Sequence, residues 1–201
     1  MTFWNWRRGS GAAATSGTAA MALSSELAPI ELYTADSRIV GWIAANGRRV
    51  TDLLNDEGEL RLWRPSPGPL DGEETEQSPT ARAGAAAPAD DPDANGEWQT
   101  LLSERVILAM PPEWRASRQL RLHRKLRRVA LVAGPFSVTG NLHLPPGAEA
   151  GEEFLLRAPR FMPLTECYIL HNGEPPFEHV VSVVIVNTAH VAQLQPLVTL
   201  A

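Results

Sequence analysis

The sequence predicts an all-β protein made of two tandem five-stranded barrels. Three observations support this prediction: short segments that alternate apolar and polar residues, little helical periodicity, and one pattern that occurs twice about a hundred residues apart. In that pattern Gly41 matches Gly140, Gly47 matches Gly147, Asp52 matches Glu152 and Leu60 matches Phe161. Glycines, an acid and apolar residues that recur in one order at a near-constant offset are typical of a duplicated supersecondary unit.

The strands of the first copy follow from alternation and turn signals. Ile30–Tyr33 alternates apolar and polar residues, as a half-buried strand does, and Arg38–Ile43 is predicted as the next strand. Asn46-Gly47 is a strong hairpin signal because both residues tolerate a positive φ. Leu60–Trp63 alternates again and is predicted as the third strand.

Two segments of biased composition are predicted to be disordered. Residues 1–28 form a low-complexity tail, and Pro65–Glu97 contains eight acidic residues and one arginine, a net charge of −7 in a chain of net charge −5. Such a segment cannot bury enough apolar area to offset the entropy lost on ordering. The predicted domains are therefore a tail over 1–28, a first barrel over 29–114 with the acidic insert 65–97, and a second barrel over 115–201.

The remaining strands are predicted from apolar runs. Arg105–Ala109 resumes the first copy as a strand and is taken as the counterpart of Val183–Asn187 in the second copy. The strands of the second copy are predicted within Val129–Val132, Phe136–Leu144, Phe161–Leu170 and Val180–Gln195. The two barrels are expected to pack as a pseudo-symmetric pair, with strands continuing from one to the other.

Several of these segments resemble known small barrels. Ile30–Tyr33 with Arg38–Ile43 resembles the opening two strands of Sm-like domains, and Val183–Ala192 resembles their last two strands, joined by one tight turn. Phe161–Glu166, together with the C-terminal segment, is also similar to a bacterial family of unknown function. The resemblance implies small, strongly curved barrels of the Sm-like or SH3-like kind.

The resemblance does not imply RNA binding. In bacterial Sm-like RNA chaperones, a lysine–histidine pair in the last turn contacts uridine-rich RNA. The matching turn here is Asn187–His190, which has a histidine but no lysine. Its counterpart in the first copy is taken as Met110–Pro112, which has neither.

A basic run between the copies is the leading candidate for a functional site. Six arginines and one lysine lie between Arg115 and Arg128, a density of cations that neutralises phosphates and gives salt-dependent nucleic-acid binding. Aromatic residues for base stacking are sparse there. Two other interpretations stay open: the run faces solvent or the acidic insert of its own chain, or it binds an acidic protein. The candidate nucleic-acid-binding residues are Arg118, Arg121, Arg124, Lys125, Arg127, Arg128 and His190.

The sequence favours a protein without catalytic activity. Four residues invite a metal interpretation, namely Cys167, His171, His179 and His190, but their spacing matches no closed zinc site. The symmetric placement of Asp52 and Glu152 fits duplicated turn residues better than a general acid/base pair. No Gly-rich phosphate loop, Ser-centred elbow or HExxH motif is present. We therefore expect no catalytic residues, no metal and no cofactor.

Three functional hypotheses follow. A single cysteine excludes an intrachain disulfide, and no run approaches the roughly 18 apolar residues of a membrane-spanning helix, so we expect a cytoplasmic bacterial protein. The first hypothesis is an interaction or regulatory module that binds a protein partner through a barrel edge or the groove between barrels. The alternatives are nucleic-acid (RNA) binding through the basic 115–128 strand, and membrane-surface association through an N-terminal segment with Phe3, Trp4 and Trp6. The oligomeric state stays open.

Overall fold

The computed structural model describes residues 27–65, 96–112, 125–173 and 176–197. These residues form one open antiparallel sheet of ten strands, with two short α-helices and two 3-10 turns. The all-β prediction is therefore confirmed. The predicted disorder of the tail and of the acidic insert falls almost entirely on residues 1–26 and 66–95, which lie outside the described residues.

The same order of elements occurs twice along the chain. The first half contains β1 Leu27–Tyr33, β2 Arg38–Ala44, α1 Val50–Asp56, β3 Glu59–Pro65, β4 Gly96–Leu102, a first 3-10 turn Ser103–Arg105 and β5 Leu108–Met110. The second half contains β6 Lys125–Ala133, β7 Phe136–Leu144, α2 Glu152–Arg157, β8 Phe161–His171, β9 Phe177–Asn187, a second 3-10 turn Thr188–His190 and β10 Val191–Pro196.

The two halves contribute adjacent blocks of the sheet. The strand order is β10-β6-β7-β8-β9-β5-β1-β2-β3-β4, so within each half the strands lie in the order fifth, first, second, third, fourth. The halves meet where β9 pairs with β5, in the register Leu108 with Val186 and Ala109 with Ile185. The outermost strands of the whole sheet are β10 at one end and β4 at the other.

A glycine occupies the same position in the second strand of each half. Gly41 pairs with Ile30, and Gly140 pairs with Val129, in matching places on β2 and β7. A Cβ atom would lie 2.8 Å from the Trp63 carbonyl oxygen at Gly41, and 2.7 Å from the Cys167 Sγ at Gly140. Both glycines therefore let the third strand of their half approach closely.

The two helices correct the expectation that Asp52 and Glu152 are turn residues. Asp52 lies in the first turn of α1 and Glu152 in the first turn of α2, each between the second and third strands of its half. The helices have seven and six residues, so they are shorter than the window in which helical periodicity can be recognised. The positive φ expected before them is observed, 74° at Gly47 and 79° at Gly147, but the turn at Asn46-Gly47 leads into α1 and does not form the predicted hairpin.

The end of the first half also differs from the prediction. Arg105–Ala109 does not form one strand, because the first 3-10 turn ends at Arg105 and β5 begins only at Leu108. The element equivalent to the end of β9 is instead β4, which begins at Gly96, inside the predicted acidic insert. Of the seven residues of β4 one, Leu101, is buried, and Glu97, Gln99 and Thr100 continue the polar composition of the acidic insert.

The counterpart of the Asn187–His190 turn is corrected for the same reason. Ser103 donates its backbone N–H to the Gly58 carbonyl, and Thr188 donates its backbone N–H to the Arg160 carbonyl, so the two 3-10 turns are equivalent. The turn of the first half is therefore Leu102–Arg105, and Met110–Pro112 instead ends and follows β5.

Each hydrophobic core contains side chains from both halves. The core of the second half includes Tyr33, Ile107, Leu108 and Met110 from the first half. The core of the first half includes Phe161 and Ile185 from the second. The pairing of β5 with β9 is thus accompanied by apolar side chains that cross the junction in both directions.

Candidate functional site

Part of the predicted basic site lies at the start of β6. Arg118, Arg121 and Arg124 lie outside the described residues, whereas Lys125 and Arg127 are exposed. None of the ion pairs between described residues involves either of these two side chains. This end of β6 therefore presents cations to solvent.

Arg128 makes contacts within its own half. Its Nη1 donates to the carbonyl oxygen of Glu166 at 2.7 Å and lies 3.5 Å from the Oδ1 of Asn141. The Nδ2 of Asn141 in turn donates to the Glu166 carboxylate at 2.7 Å. Glu166 has a positive φ of 51° and lies where the β7–β8 ladder shifts register, so Arg128 and Asn141 hold a β-bulge in place.

His190 is not brought together with these cations. It ends the second 3-10 turn, and its Nε2 lies 2.7 Å from the carbonyl oxygen of Glu104 in the first 3-10 turn. Its own carbonyl accepts the N–H of Gly134, at the far end of β6 from Lys125. A nine-residue strand separates the two ends by about 26 Å. His190 therefore links the two 3-10 turns and does not extend the basic surface.

The side chains considered for metal binding or nucleophilic chemistry have packing roles. Burial raises the pKa of the Cys167 thiol to about 12, so at neutral pH the sulfur is not an activated thiolate. The His171 ring stacks on Phe177 at a centroid distance of 4.9 Å, and His179 contacts the edge of the same phenyl ring. Among the described residues, no group of three or more His, Cys, Asp or Glu side chains is placed to hold a metal ion.

The junction between the halves is filled by side chains. The Arg38 Nε lies 2.6 Å from the carboxylate of Glu31, a buried residue that also accepts the hydroxyl of Tyr33. Burial and this carboxylate together raise the pKa of Tyr33. The Tyr33 ring packs edge-on against Phe136 and close to Phe177. These polar groups are thus paired with one another within the first half, and the Tyr33 ring contacts the second half.

The outer edge of β4 is the feature that sequence reasoning did not locate. β4 pairs with β3 through seven consecutive residue pairs, from Glu59 with Leu102 to Pro65 with Gly96, with no register shift. No other strand of the described residues lies on its second side. A regular strand with one unpaired side is a template for an additional strand.

The ladder shows which backbone groups of β4 point outwards. Polar groups alternate sides along an antiparallel strand, and the Ser103 N–H donates to Gly58 on the β3 side. The N–H groups of Thr100 and Leu102 therefore point away from β3. At the junction the equivalent group of Asn187 points towards β5, where it donates to the Ile107 carbonyl at 2.9 Å.

The side chains beside this edge are partly apolar. Leu102 is 44% exposed, and Trp98 is half-buried beneath the guanidinium of Arg61, whose carbon lies 5.0 Å from the ring centroid. Trp98 faces Trp63 across the β3–β4 ladder. The exposed Leu102 side chain and the half-buried Trp98 ring thus lie on the strand whose second side is unpaired among the described residues.

The other outer strand, β10, is a poorer template. Its ladder with β6 contains a register shift between Val191 and Gln193 and ends at Pro196, which has no N–H to donate. Bulges and prolines are features that protect edge strands from pairing. Of the two edges, β4 is therefore the one that is suited to accept a strand.

Comparisons with known proteins identify no relative of this chain. No protein-family model, curated protein or solved structure matches this chain. The membrane hypothesis rests on residues 1–10, which lie outside the described residues, and no helix within the described ranges is long and apolar enough to cross a membrane.

Proposed function

We propose that this protein is a non-catalytic interaction module that binds an extended segment of a partner protein along the outer edge of β4. The observation that carries the proposal is the unbroken seven-pair ladder of β4 with β3, whose second side is open among the described residues. In strand addition, main-chain hydrogen bonds supply affinity and the side chains beside the edge supply selectivity.

The proposal includes an architecture for each half. We infer that the first half, within 29–114, and the second, within 115–201, are small five-stranded barrels of the Sm-like or SH3-like kind, related to an uncharacterised bacterial family of cytoplasmic proteins. The repeated strand order, the equivalent glycines and the 3-10 turn before each fifth strand support this. Two barrels that share one sheet leave one fourth strand, β4, with a neighbour on one side only among the described residues.

The side chains at the edge set the expected selectivity. A net hydrogen bond contributes only about 0.5–1.5 kcal/mol, so a short added strand is weakly held by its backbone alone. Leu102 and Trp98 offer apolar surface on which a partner's side chains would gain further binding energy. A partner segment with an aromatic or aliphatic residue opposite Leu102 is therefore favoured.

A proline at Thr100 tests the proposal, because the outward N–H of this residue would bind the partner and is not needed by β3. Three baits are compared in nuclease-treated native lysate: the unchanged protein, Thr100→Pro and the matched control Thr100→Val, which keeps the N–H. We expect one protein to be recovered by the unchanged chain and by Thr100→Val, and to be lost with Thr100→Pro. A partner that binds Thr100→Pro equally well, with the variant folded by circular dichroism, contradicts strand addition at β4.

Nucleic-acid binding is the second candidate, and one observation favours it. Lys125 and Arg127 are exposed, and neither side chain forms an ion pair with another described residue. Together with Arg118, Arg121 and Arg124 they would neutralise several phosphates, so binding should fall steeply with salt. Recovery of nucleic acid without nuclease, lost when these five residues are changed to glutamine, would support this candidate over the first.

A further inference from the structure

The junction between the halves shows what pairing a fourth strand with a fifth strand requires in this fold. Leu108 and Met110 of β5 are buried in the core of the second half, and Phe161 and Ile185 are buried in the core of the first. Asn55 of α1 adds a polar clamp on the backbone of Phe161. The pairing therefore depends on apolar side chains that cross in both directions.

The same two surfaces occur again at the ends of the sheet, where no strand of the described part of the chain pairs with them. The outer side of β10 is equivalent to the side of β5 that meets β9, and the outer side of β4 is equivalent to the side of β9 that meets β5. A second copy of the chain could in principle add its β10 to β4 in the register of the junction. Such a head-to-tail contact can repeat without limit unless something prevents it.

The ladders identify the residues that would cross this contact. Met110 pairs with Glu31 of β1, and Gln195 pairs with Ala130 at the matching position of β6, so Gln195 is the equivalent of Met110. Two residues earlier in each strand, Gln193 is therefore the equivalent of Leu108. Phe161 pairs with Asn187 and Glu59 pairs with Leu102, so the structural equivalent of Phe161 is Glu59 and not Leu60, with which the sequence pattern matched it. Thr100 is accordingly the equivalent of Ile185. The equivalent pairs are Leu108 and Gln193, Met110 and Gln195, Phe161 and Glu59, and Ile185 and Thr100.

All four crossing positions change from apolar to polar at the outer edges. Gln193, Gln195, Glu59 and Thr100 are exposed, whereas each of their equivalents at the junction is buried. The clamp is lost as well, because α2, with the sequence EEFLLR, contains no side-chain amide that could take the place of Asn55. Burial of these side chains against a second copy would leave a carboxylate and two amides without water.

We propose that these four polar residues limit the sheet to ten strands by preventing the head-to-tail addition of a second copy. Over Gln193–Gln195, between the bulge of β10 and Pro196, and over Thr100–Leu102 of β4, the ladders have the register of the junction strands, but the side chains that would cross are polar. Polar side chains at an edge strand oppose self-association and leave the main chain free for a different partner. The inference concerns copies of this chain only and holds whichever partner binds β4.

Two complementary variants test the proposal. The first carries the junction residues at the β4 end, Glu59→Phe with Thr100→Ile, and the second carries them at the β10 end, Gln193→Leu with Gln195→Met. Each variant retains one polar edge, so a mixture should form a heterodimer and stop there. We expect sedimentation analysis to show a mixed association constant about 100-fold or more above that of the unchanged protein.

Matched controls separate designed pairing from general stickiness. Glu59→Gln with Thr100→Ser should not associate with the β10-end variant, and adding Leu102→Pro to the β4-end variant should abolish the heterodimer by removing an outward N–H. Circular dichroism of each variant alone establishes that it is folded. If a variant is unfolded, the unchanged protein alone still tests the proposal, because it should show no association that the Thr100→Pro change removes.

Two results would overturn the inference. One is association of the unchanged protein that is lost in Thr100→Pro, since the polar edges would then permit the contact they are proposed to prevent. The other is a pair of folded, complementary variants that show no more association than the unchanged protein, since the four residues would then not be what limits the sheet.

Discussion

The side-chain amide of Asn55 binds both backbone polar groups of Phe161, a residue 106 positions away in the sequence. Its Nδ2 donates to the Phe161 carbonyl at 2.9 Å, and its Oδ1 accepts the Phe161 N–H at 2.8 Å. Phe161 is the first residue of β8, where the ladder with β9 begins. Helix α1 of the first half is thereby hydrogen-bonded to the start of β8 in the second half.

Loss of this contact should destabilise the whole protein. In Asn55→Ala, both backbone groups of Phe161 lose their partner, so we expect the free energy of unfolding to fall by about 1–3 kcal/mol. Urea denaturation followed by tryptophan fluorescence measures the change. Asn172→Ala is the control, because the Asn172 side chain makes one exposed hydrogen bond and should cost less. Equal costs for the two variants would mean that the clamp does not couple the halves.

The glycines of the second strands should not tolerate a methyl group. Gly41→Ala would place a Cβ atom 2.8 Å from a backbone oxygen of β3, which cannot rotate away. We expect overpacking to cost about 1–3 kcal/mol, and somewhat less in Gly140→Ala, where the nearest atom is a side-chain sulfur. Gly58→Ala, with no atom within 4 Å of the added Cβ, is the control and should be nearly neutral in thermal unfolding. A large loss in the control would indicate a backbone effect unrelated to close approach.

The Arg38–Glu31 pair should matter more than the surface pairs of the same half. Glu31 is buried, so Arg38→Met leaves a carboxylate with only the Tyr33 hydroxyl as a side-chain partner. Since the Arg38 side chain is 43% exposed, we expect a loss of about 2–3 kcal/mol, below the cost for fully buried pairs. Arg48→Met removes two exposed ion pairs and should cost less than about 1 kcal/mol. Chemical denaturation of both variants at neutral pH compares them, and a larger cost for Arg48→Met would contradict the account.

Stability should fall at alkaline pH, in part through Cys167. Burial raises the pKa of its thiol from 9.0 to about 12, so the folded protein disfavours the thiolate. The resulting stabilisation is complete below pH 9 and is lost as the pH rises towards 12, at no more than about 1.4 kcal/mol per pH unit. Urea unfolding at pH 8 and pH 10.5 should therefore show a smaller decrease in Cys167→Ala than in the unchanged protein. Identical decreases would assign the effect to other groups, of which Tyr33, whose pKa is also raised, is the first candidate.

The sequence predicts the strands well where alternation is strong and both flanks carry turn residues. The second strand of the second half is placed correctly at Phe136–Leu144, and Gly47 and Gly147 have the expected positive φ. The helices α1 and α2 are missed because six or seven residues are too few to show a helical period. Strand β4 is missed because Glu97, Gln99 and Thr100 continue the polar character of the acidic insert.

The candidate site is a different case, because a free edge is a property of the whole sheet. No pattern within Gly96–Leu102 indicates that β4 is outermost; that follows only from the strand order and from the pairing of β9 with β5. The basic run is visible in the sequence, but its separation from His190 depends on which end of β6 each residue lies at. The positions at the junction can be compared with those at the outer edges only when β4 is aligned with β9. The sequence pattern instead aligned Arg105–Ala109 with the end of β9.

The most direct test of the account is amide hydrogen exchange at equivalent positions of β4 and β9, measured by NMR on the unchanged protein. The N–H groups of Thr100 and Leu102 point to the open side of β4, whereas those of Ile185 and Asn187 face β5. The account predicts that the first pair exchanges orders of magnitude faster than the second. Equal protection of the two pairs in the isolated protein would mean that the β4 edge is already occupied, and would contradict the proposal that it is open to a partner.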